Sequence, residues 1–67
     1  MTPKEKALKK TDFEILFKDS PEYYSVLNAK MIVEGPFVRF LCFIADTFTH
    51  DEWYPVQHIH RIKGYPK

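Results

Sequence analysis

The sequence predicts an α+β fold, in which an N-terminal helix precedes a small, strongly bent antiparallel sheet. Phe13, Leu16 and Phe17 are spaced i, i+3 and i+4, the spacing of one helix face. From Leu27 onward apolar and polar residues alternate instead, which indicates half-buried strands. We expect a single domain over residues 1–67, because a chain of 67 residues has no room for a second core.

The helix is predicted over residues 12–18. Thr2 and Glu5 have the spacing of a capping box, so residues 1–10 are predicted either to extend this helix or to form a frayed basic arm. Pro21 sets the end of the helix, because the residue before a proline avoids the helical conformation.

The middle of the chain predicts a hairpin. Gly35 and Pro36 are typical of a turn between two strands. The second strand, Phe37–Ala45, is apolar on both faces except for Arg39, and such a strand has to be covered on both sides. The helix can cover one side, so barrel closure or a second subunit has to cover the other. Residues 46–52 are predicted to form a loop or a loosely paired strand end.

The stretch Trp53–Ile62 begins like a strand, contains Pro55, and continues with apolar residues three apart at Val56, Ile59 and Ile62. This pattern predicts a strand broken by a tight turn. In this respect the stretch resembles small SH3-like and Sm-like barrels, which join their last two strands through such a turn. The resemblance implies closure of the sheet into an SH3-like or Sm-like barrel, which we prefer. The alternative is an open three-stranded sheet with the helix on one face and a dimer partner on the other.

The composition argues against several classes of protein. Hydrophobic residues make up 45% of the chain and aromatic residues 16%, which argues against disorder of the whole chain. The net charge of +1 is far from the excess that nucleic-acid-binding domains usually carry. Cys42 is the single cysteine, so no disulfide forms within the chain, and a lone thiol suits a reducing compartment. No apolar stretch approaches the length of a spanning helix. We expect a cytoplasmic protein without membrane contact.

The aromatic residues of the sheet exceed what one side of it can bury. Aromatic residues and arginine are the types that anchor protein interfaces. Arg39 would be costly if buried unpaired, so it should meet Glu52, Asp46 or a partner's carboxylate. We therefore expect a small non-enzymatic binding module that contacts another protein or, as a homo-oligomer, itself. The predicted interface residues are Phe37, Arg39, Phe43, Phe48, Trp53 and Tyr54.

An alternative is a small barrel that binds single-stranded DNA or RNA. Its basic surface would comprise Lys30, Arg39, Arg61 and Lys63. Basic side chains would contact phosphates, and exposed aromatic rings would stack on bases. Acidic residues between these positions oppose this alternative.

The sequence gives only weak indications of a metal site or a catalytic site. On a continuous strand His58 and His60 would project from one face and share a metal, with His50 or Asp51 as a third ligand. The predicted turn would separate the two histidines, and we expect no cofactor. Cys42 lies among apolar residues, which predicts a buried thiol rather than a nucleophile. Nothing at a meaningful spacing supplies a second catalytic group beside His50, so we expect no enzyme activity.

Overall fold

A computed structural model describes residues 9–66 of the chain. These residues form five strands, β1 (Thr11–Phe17), β2 (Tyr23–Glu34), β3 (Phe37–Ile44), β4 (Thr47–Pro55) and β5 (Ile59–Pro66). The strands make one antiparallel sheet in the order β4-β3-β2-β1-β5. No helix within residues 9–66 is long and apolar enough to cross a membrane.

The α+β prediction is wrong, because the segment predicted as a helix over residues 12–18 belongs to strand β1. Phe13 and Ile15 are both buried in the inner core and Phe17 packs against it, which is a two-residue period. β1 pairs with β2 on one side and with β5 on the other. Two hydrogen-bonded neighbours outweigh a local pattern that also fits a helix. The predicted N-terminal cap and most of the predicted basic arm lie outside the described residues.

The sheet curls so that its two edges approach each other. β4 and β5 lie at opposite edges, yet only the 3-10 helix Val56–His58 separates them in the chain. In a flat sheet the edge strands would lie about 19 Å apart, whereas four residue steps reach at most about 14 Å. The Lys18 amide also donates a hydrogen bond of 2.9 Å to the His58 carbonyl. The result is a small antiparallel sheet with a barrel-like bend, and the alternative of an open three-stranded sheet is wrong.

Two-residue turns connect β2 to β3 and β3 to β4. Glu34 pairs with Phe37 around a turn in which Gly35 adopts a φ of 56°, so the predicted hairpin is confirmed. Ile44 pairs with Thr47 around the second turn. Of the two alternatives predicted for residues 46–52, a loop or a loosely paired strand end, the loop is wrong, because most of these residues belong to β4 and pair with β3.

Strand β2 contains a bulge that the alternation of its sequence does not reveal. Its pairing with β1 shifts between Ala29 and Val26, and the intervening Asn28 has a φ of 52°. The Asn28 amide donates to Asp12 Oδ1 at 2.8 Å, and Asn28 Nδ2 donates to the carbonyl of Phe43 at 3.1 Å. Asparagine tolerates this left-handed conformation better than most residues. The bulge turns Val26 into the core and leaves Leu27 exposed.

The core has two parts, one on each face of the sheet. The larger part lies on the inner face and comprises Phe13, Ile15, Val26, Ala29, Val38, Phe40 and Cys42. A smaller outer cluster comprises Ile32, Leu41 and Phe43, all buried. Strand β3 therefore supplies buried residues to both faces, and part of its outer face is already covered within the chain.

Candidate functional site

The six predicted interface residues divide between the two faces of the β3–β4 hairpin. Arg39 lies opposite Trp53, and Val38 lies opposite Tyr54. Because successive side chains of a strand point to opposite faces, Trp53 lies on the outer face and Tyr54 on the inner face. The other outer-face members of the set are Phe37, Arg39, Phe43 and Phe48.

The exposed end of the outer face carries what we name the Trp53 cluster, made of Glu34, Phe37, Arg39, Asp51 and Trp53. The rings of Phe37 and Trp53 meet edge to face with centroids 6.0 Å apart. The Arg39 guanidinium lies 5.1 Å from the centroid of the Trp53 ring. The Trp53 indole donates to Asp51 Oδ2 at 3.0 Å. Trp53 is thus held in place while about half of its surface stays exposed.

Arg39 has acidic partners, although not the two that the sequence suggested. Its Nε donates to Asp51 Oδ2 at 3.0 Å and its Nη1 to Glu34 Oε1 at 3.3 Å. The hydrogen bond from the Trp53 indole holds the pKa of Asp51 below its usual value; partial desolvation opposes this shift and Arg39 adds to it. The charge of Arg39 is therefore balanced on the outer face.

An apolar groove lies beside the Trp53 cluster, where the β2–β3 turn meets the end of β4. We name it the Pro36–Pro55 groove; it has a volume of about 520 Å³. Its lining residues are Pro36, Phe37, Pro55, Val56 and Gln57. The Val56 amide donates to the Pro36 carbonyl at 2.8 Å, which fixes the two walls relative to each other. Phe37 is shared by the groove and the cluster, so the two form one continuous surface.

The far end of the outer face is more covered. Phe43 is buried and meets the exposed Phe48 edge to face at 5.8 Å. The ammonium groups of Lys10 and Lys30 lie 5.1 Å and 5.3 Å from the centroid of the Phe43 ring. Lys10 also pairs with Asp46. Phe43 therefore contributes to the fold more than to an exposed surface.

The four basic residues of the nucleic-acid alternative do not form one patch. Lys30 is buried, and Arg39 is paired with two carboxylates. Arg61 and Lys63 lie on β5, which β1 and β2 separate from β3. Lys63 pairs across the sheet with Glu14, and its ammonium lies 4.8 Å from the centroid of the Tyr23 ring. Phosphate would therefore meet carboxylates beside Arg39 and Lys63 and would find the side chain of Lys30 buried.

The inner face of the same hairpin carries a second group of side chains, which we name the inner polar cluster. It consists of Cys42 on β3, His50, Glu52 and Tyr54 on β4, and Tyr24 on β2. Glu52 Oε1 accepts hydrogen bonds from the hydroxyls of Tyr54 and Tyr24. Glu52 Oε2 faces His50 Nε2 at 2.9 Å and Cys42 Sγ at 3.9 Å. Each carboxylate oxygen therefore has its own set of neighbours.

These contacts shift the pKa of two members of the cluster. The hydrogen bond from Tyr54 lowers the pKa of Glu52; partial desolvation opposes this shift and His50 adds to it. Burial raises the pKa of the Cys42 thiol, and the negative charge of Glu52 raises it further. Both shifts act against transfer of the thiol proton to the carboxylate.

The sequence did not bring Cys42, His50 and Glu52 together. Cys42 and His50 are register partners across β3 and β4. His50 and Glu52 are two residues apart on one strand, which was a usable signal once residues 46–52 are read as a strand. His58 lies in the 3-10 helix and His60 on β5, and both are exposed. Within residues 9–66, Cys42, His50 and Glu52 form a group of metal-ligating side chains that lie close together. Neither His58 nor His60 belongs to this group.

Comparison of the chain with family models, with curated proteins and with solved structures finds no match.

Proposed function

We propose that the protein is a small, non-enzymatic binding module that associates with a second copy of itself through the outer face of β3 and β4. The observation that carries this proposal is the continuous surface formed by the Trp53 cluster and the Pro36–Pro55 groove. Phe37, Trp53 and Val56 are 38%, 45% and 43% exposed on this surface. Large, adjacent apolar side chains left open to solvent are typical of interaction sites.

The chemistry of the surface fits a protein partner. Tryptophan and arginine are enriched among residues that dominate binding energy, especially beside well-packed pockets. Asp51 and Arg39 fix the Trp53 ring before binding, so less side-chain entropy is lost when a partner docks. In a two-fold dimer the same patch faces itself, and the Trp53 ring of one copy would enter the Pro36–Pro55 groove of the other.

Two further assignments belong to this proposal. The strand order and the 3-10 helix between the last two strands support a barrel of the SH3-like or Sm-like kind. The single buried thiol supports a cytoplasmic location. Binding of single-stranded DNA or RNA is the alternative, and it would require basic residues that are now paired or buried to turn toward phosphate.

Sedimentation equilibrium from micromolar to millimolar concentration tests the proposal. We expect the average mass to rise above the 8.0 kDa of one chain as concentration increases. Trp53→Ala should weaken association by about 30-fold, the effect of losing a central hot-spot residue. Leu27→Ala is the matched control, because Leu27 is exposed on β2 outside this surface and its loss should leave association unchanged.

Three outcomes would overturn self-association. A mass of 8.0 kDa at the highest concentration would exclude it. Equal weakening by Trp53→Ala and Leu27→Ala would exclude this surface. Salt-sensitive binding of a labelled oligonucleotide by a chain that stays monomeric would favour the nucleic-acid alternative.

A further inference from the structure

The inner polar cluster contains three side chains of different metal-ligating chemistry. Cys42, His50 and Glu52 each contribute one ligand atom, and these three atoms lie within 4.8 Å of one another. In tetrahedral zinc sites, bond lengths of about 2.0–2.3 Å place neighbouring ligand atoms about 3.3–3.8 Å apart. The Sγ–Oε2 separation of 3.9 Å is close to that spacing. His50 Nε2 and Glu52 Oε2 are 2.9 Å apart, so these two atoms would have to separate to about 3.3 Å when a metal binds.

The hydrogen bonds around His50 orient its ring for coordination through Nε2. The Thr49 hydroxyl has one hydrogen, which it donates to the Cys42 carbonyl at 3.0 Å. The same hydroxyl oxygen lies 3.0 Å from His50 Nδ1 and can accept the hydrogen of the Nδ1–H tautomer. Metal-bound histidines usually donate their second ring N–H to such an oxygen. In that tautomer the lone pair of the ring is on Nε2, the atom that faces Glu52 Oε2 at 2.9 Å.

The carboxylate is oriented in the same way. Tyr54 and Tyr24 donate to Oε1 of Glu52 and leave Oε2 directed at His50 and Cys42. His50 Nε2 lies 2.9 Å and Cys42 Sγ lies 3.9 Å from the same oxygen, Glu52 Oε2. A metal cation placed among these three atoms would contact all of them.

Burial and charge also fit a divalent cation. The Cys42 residue is 7% exposed at the base of the cluster, whereas the side chain of His50 is 58% exposed at its mouth. A metal can therefore enter past His50, and water can take the fourth position. A thiolate and a carboxylate together neutralise a divalent ion, which makes the buried sulfur less costly to ionise.

We propose that Cys42 Sγ, His50 Nε2 and Glu52 Oε2 form a zinc site that joins β3 to β4. Metal binding replaces the thiol proton and leaves the bound ion with three protein ligands and one water. A staple of this kind is one of the ways in which a domain of this size compensates for a small core. The site lies on the opposite face from the proposed interface, so each proposal can fail without the other.

Titration of the reduced full-length chain with cobalt(II) tests the site, because tetrahedral cobalt bound to a thiolate has a charge-transfer absorption. We expect one cobalt per chain, displaced by zinc. Cys42→Ser and His50→Gln each remove a ligand and should weaken binding on the order of 100-fold. Thr49→Val, which removes only the oxygen that orients His50, should weaken it about 10-fold. His60→Gln is the matched control and should bind as the wild type does.

A second readout does not depend on the cobalt spectrum. Zinc at about 100 times its Kd should raise the melting temperature of the wild-type chain by roughly 10 °C or more and that of His60→Gln equally. The same zinc concentration should raise the melting temperature of His50→Gln by only about 3 °C or less, because a 100-fold weaker Kd leaves that variant about half saturated. If Cys42→Ser fails to fold, as judged by circular dichroism, Glu52→Gln takes its place.

The proposal is overturned by the absence of thiolate–cobalt absorption in the wild type. It is overturned equally if the absorption persists in Cys42→Ser or His50→Gln. If His60→Gln abolishes binding, the metal is held elsewhere and this ligand set is wrong.

Discussion

The two faces of the β3–β4 hairpin are built from the same two strands and have opposite chemistry. Asp51 and Glu52 are adjacent in the chain, and alternation sends them to different faces. Asp51 accepts from Arg39 and from the Trp53 indole, so on the outer face a carboxylate fixes a cation and an aromatic ring. Glu52 accepts from tyrosine hydroxyls and faces a thiol and an imidazole. A run of acids that looks like one feature in the sequence therefore supplies two separate sites.

The largest difference between the faces should appear when one phenylalanine of each is truncated. Phe40 is 0% exposed and packs edge to face against Phe13 at 5.2 Å. Phe40→Ala should cost about 3–5 kcal/mol in the free energy of unfolding. A core of this size rarely supplies more than about 3–5 kcal/mol, so the variant should be largely unfolded.

The comparison variant is Phe37→Ala on the outer face. Phe37 is exposed, so its loss should cost about 1 kcal/mol or less. Urea denaturation followed by circular dichroism measures both. Similar costs for the two substitutions would mean that the outer face is as much a part of the core as the inner face.

A smaller effect is expected from Tyr54→Phe, which removes a hydroxyl that donates to Glu52. Hydrogen bonds to charged groups contribute about 1.5–3 kcal/mol, and partial exposure should reduce this to about 1–2 kcal/mol. Because folding lowers the pKa of Glu52, its ionised form stabilises the fold above the unfolded pKa of about 4.3. That stabilisation is lost as pH falls through the lower, folded pKa.

The stability gap between wild type and Tyr54→Phe should therefore be full at neutral pH and shrink in acid. Urea denaturation at a series of pH values measures it. Tyr65→Phe is the control, since the Tyr65 hydroxyl donates to Glu14 at an exposed site, and its loss should leave the free energy of unfolding nearly unchanged at every pH. A gap that widens as pH falls would show that the Tyr54 hydroxyl does not act through the Glu52 carboxylate.

The smallest effect should come from Arg39→Met, which keeps most of the apolar stem and removes the charge. Two partly exposed ion pairs and one contact with the Trp53 ring together predict a loss of about 1 kcal/mol. The loss should diminish in high salt, because exposed ion pairs are screened. Arg61→Met, at an exposed position on β5, should change the free energy of unfolding by less than about 0.5 kcal/mol. A salt-independent loss at Arg39 would indicate that packing, rather than charge, is its contribution.

Much of the sheet could be predicted from the sequence where local chemistry and tertiary pairing agree. Gly35 and Pro36 form the expected turn, and β3 is buried on both faces over much of its length. A break also follows Pro55, as the three-residue spacing of the apolar residues indicated. These features follow from turn chemistry and burial, which a sequence displays directly.

Strand β1 could not be predicted, because its apolar residues satisfy two periods at once. Phe13, Leu16 and Phe17 fit a helix, whereas Phe13, Ile15 and Phe17 fit a strand. Pairing with β2 and β5 decides between them, and the residues of β1 alone do not reveal these partners. The candidate metal site was missed for a related reason. Cys42 approaches His50 only through the register of β3 and β4, which follows from the turn at Ala45 and the irregularity after Cys42.

The chain has a single tryptophan, and its position on the outer face allows fluorescence to distinguish binding at the two faces of the hairpin. The Trp53 indole is fixed by Asp51 and Arg39 on the outer face and has no part in the inner polar cluster. Fluorescence excited selectively from this indole should therefore shift when the outer face is covered and stay constant when zinc, which does not quench emission, enters at Cys42. In the unlabelled protein, Trp53 fluorescence should therefore report binding at the outer face and should not respond to zinc binding at the inner face.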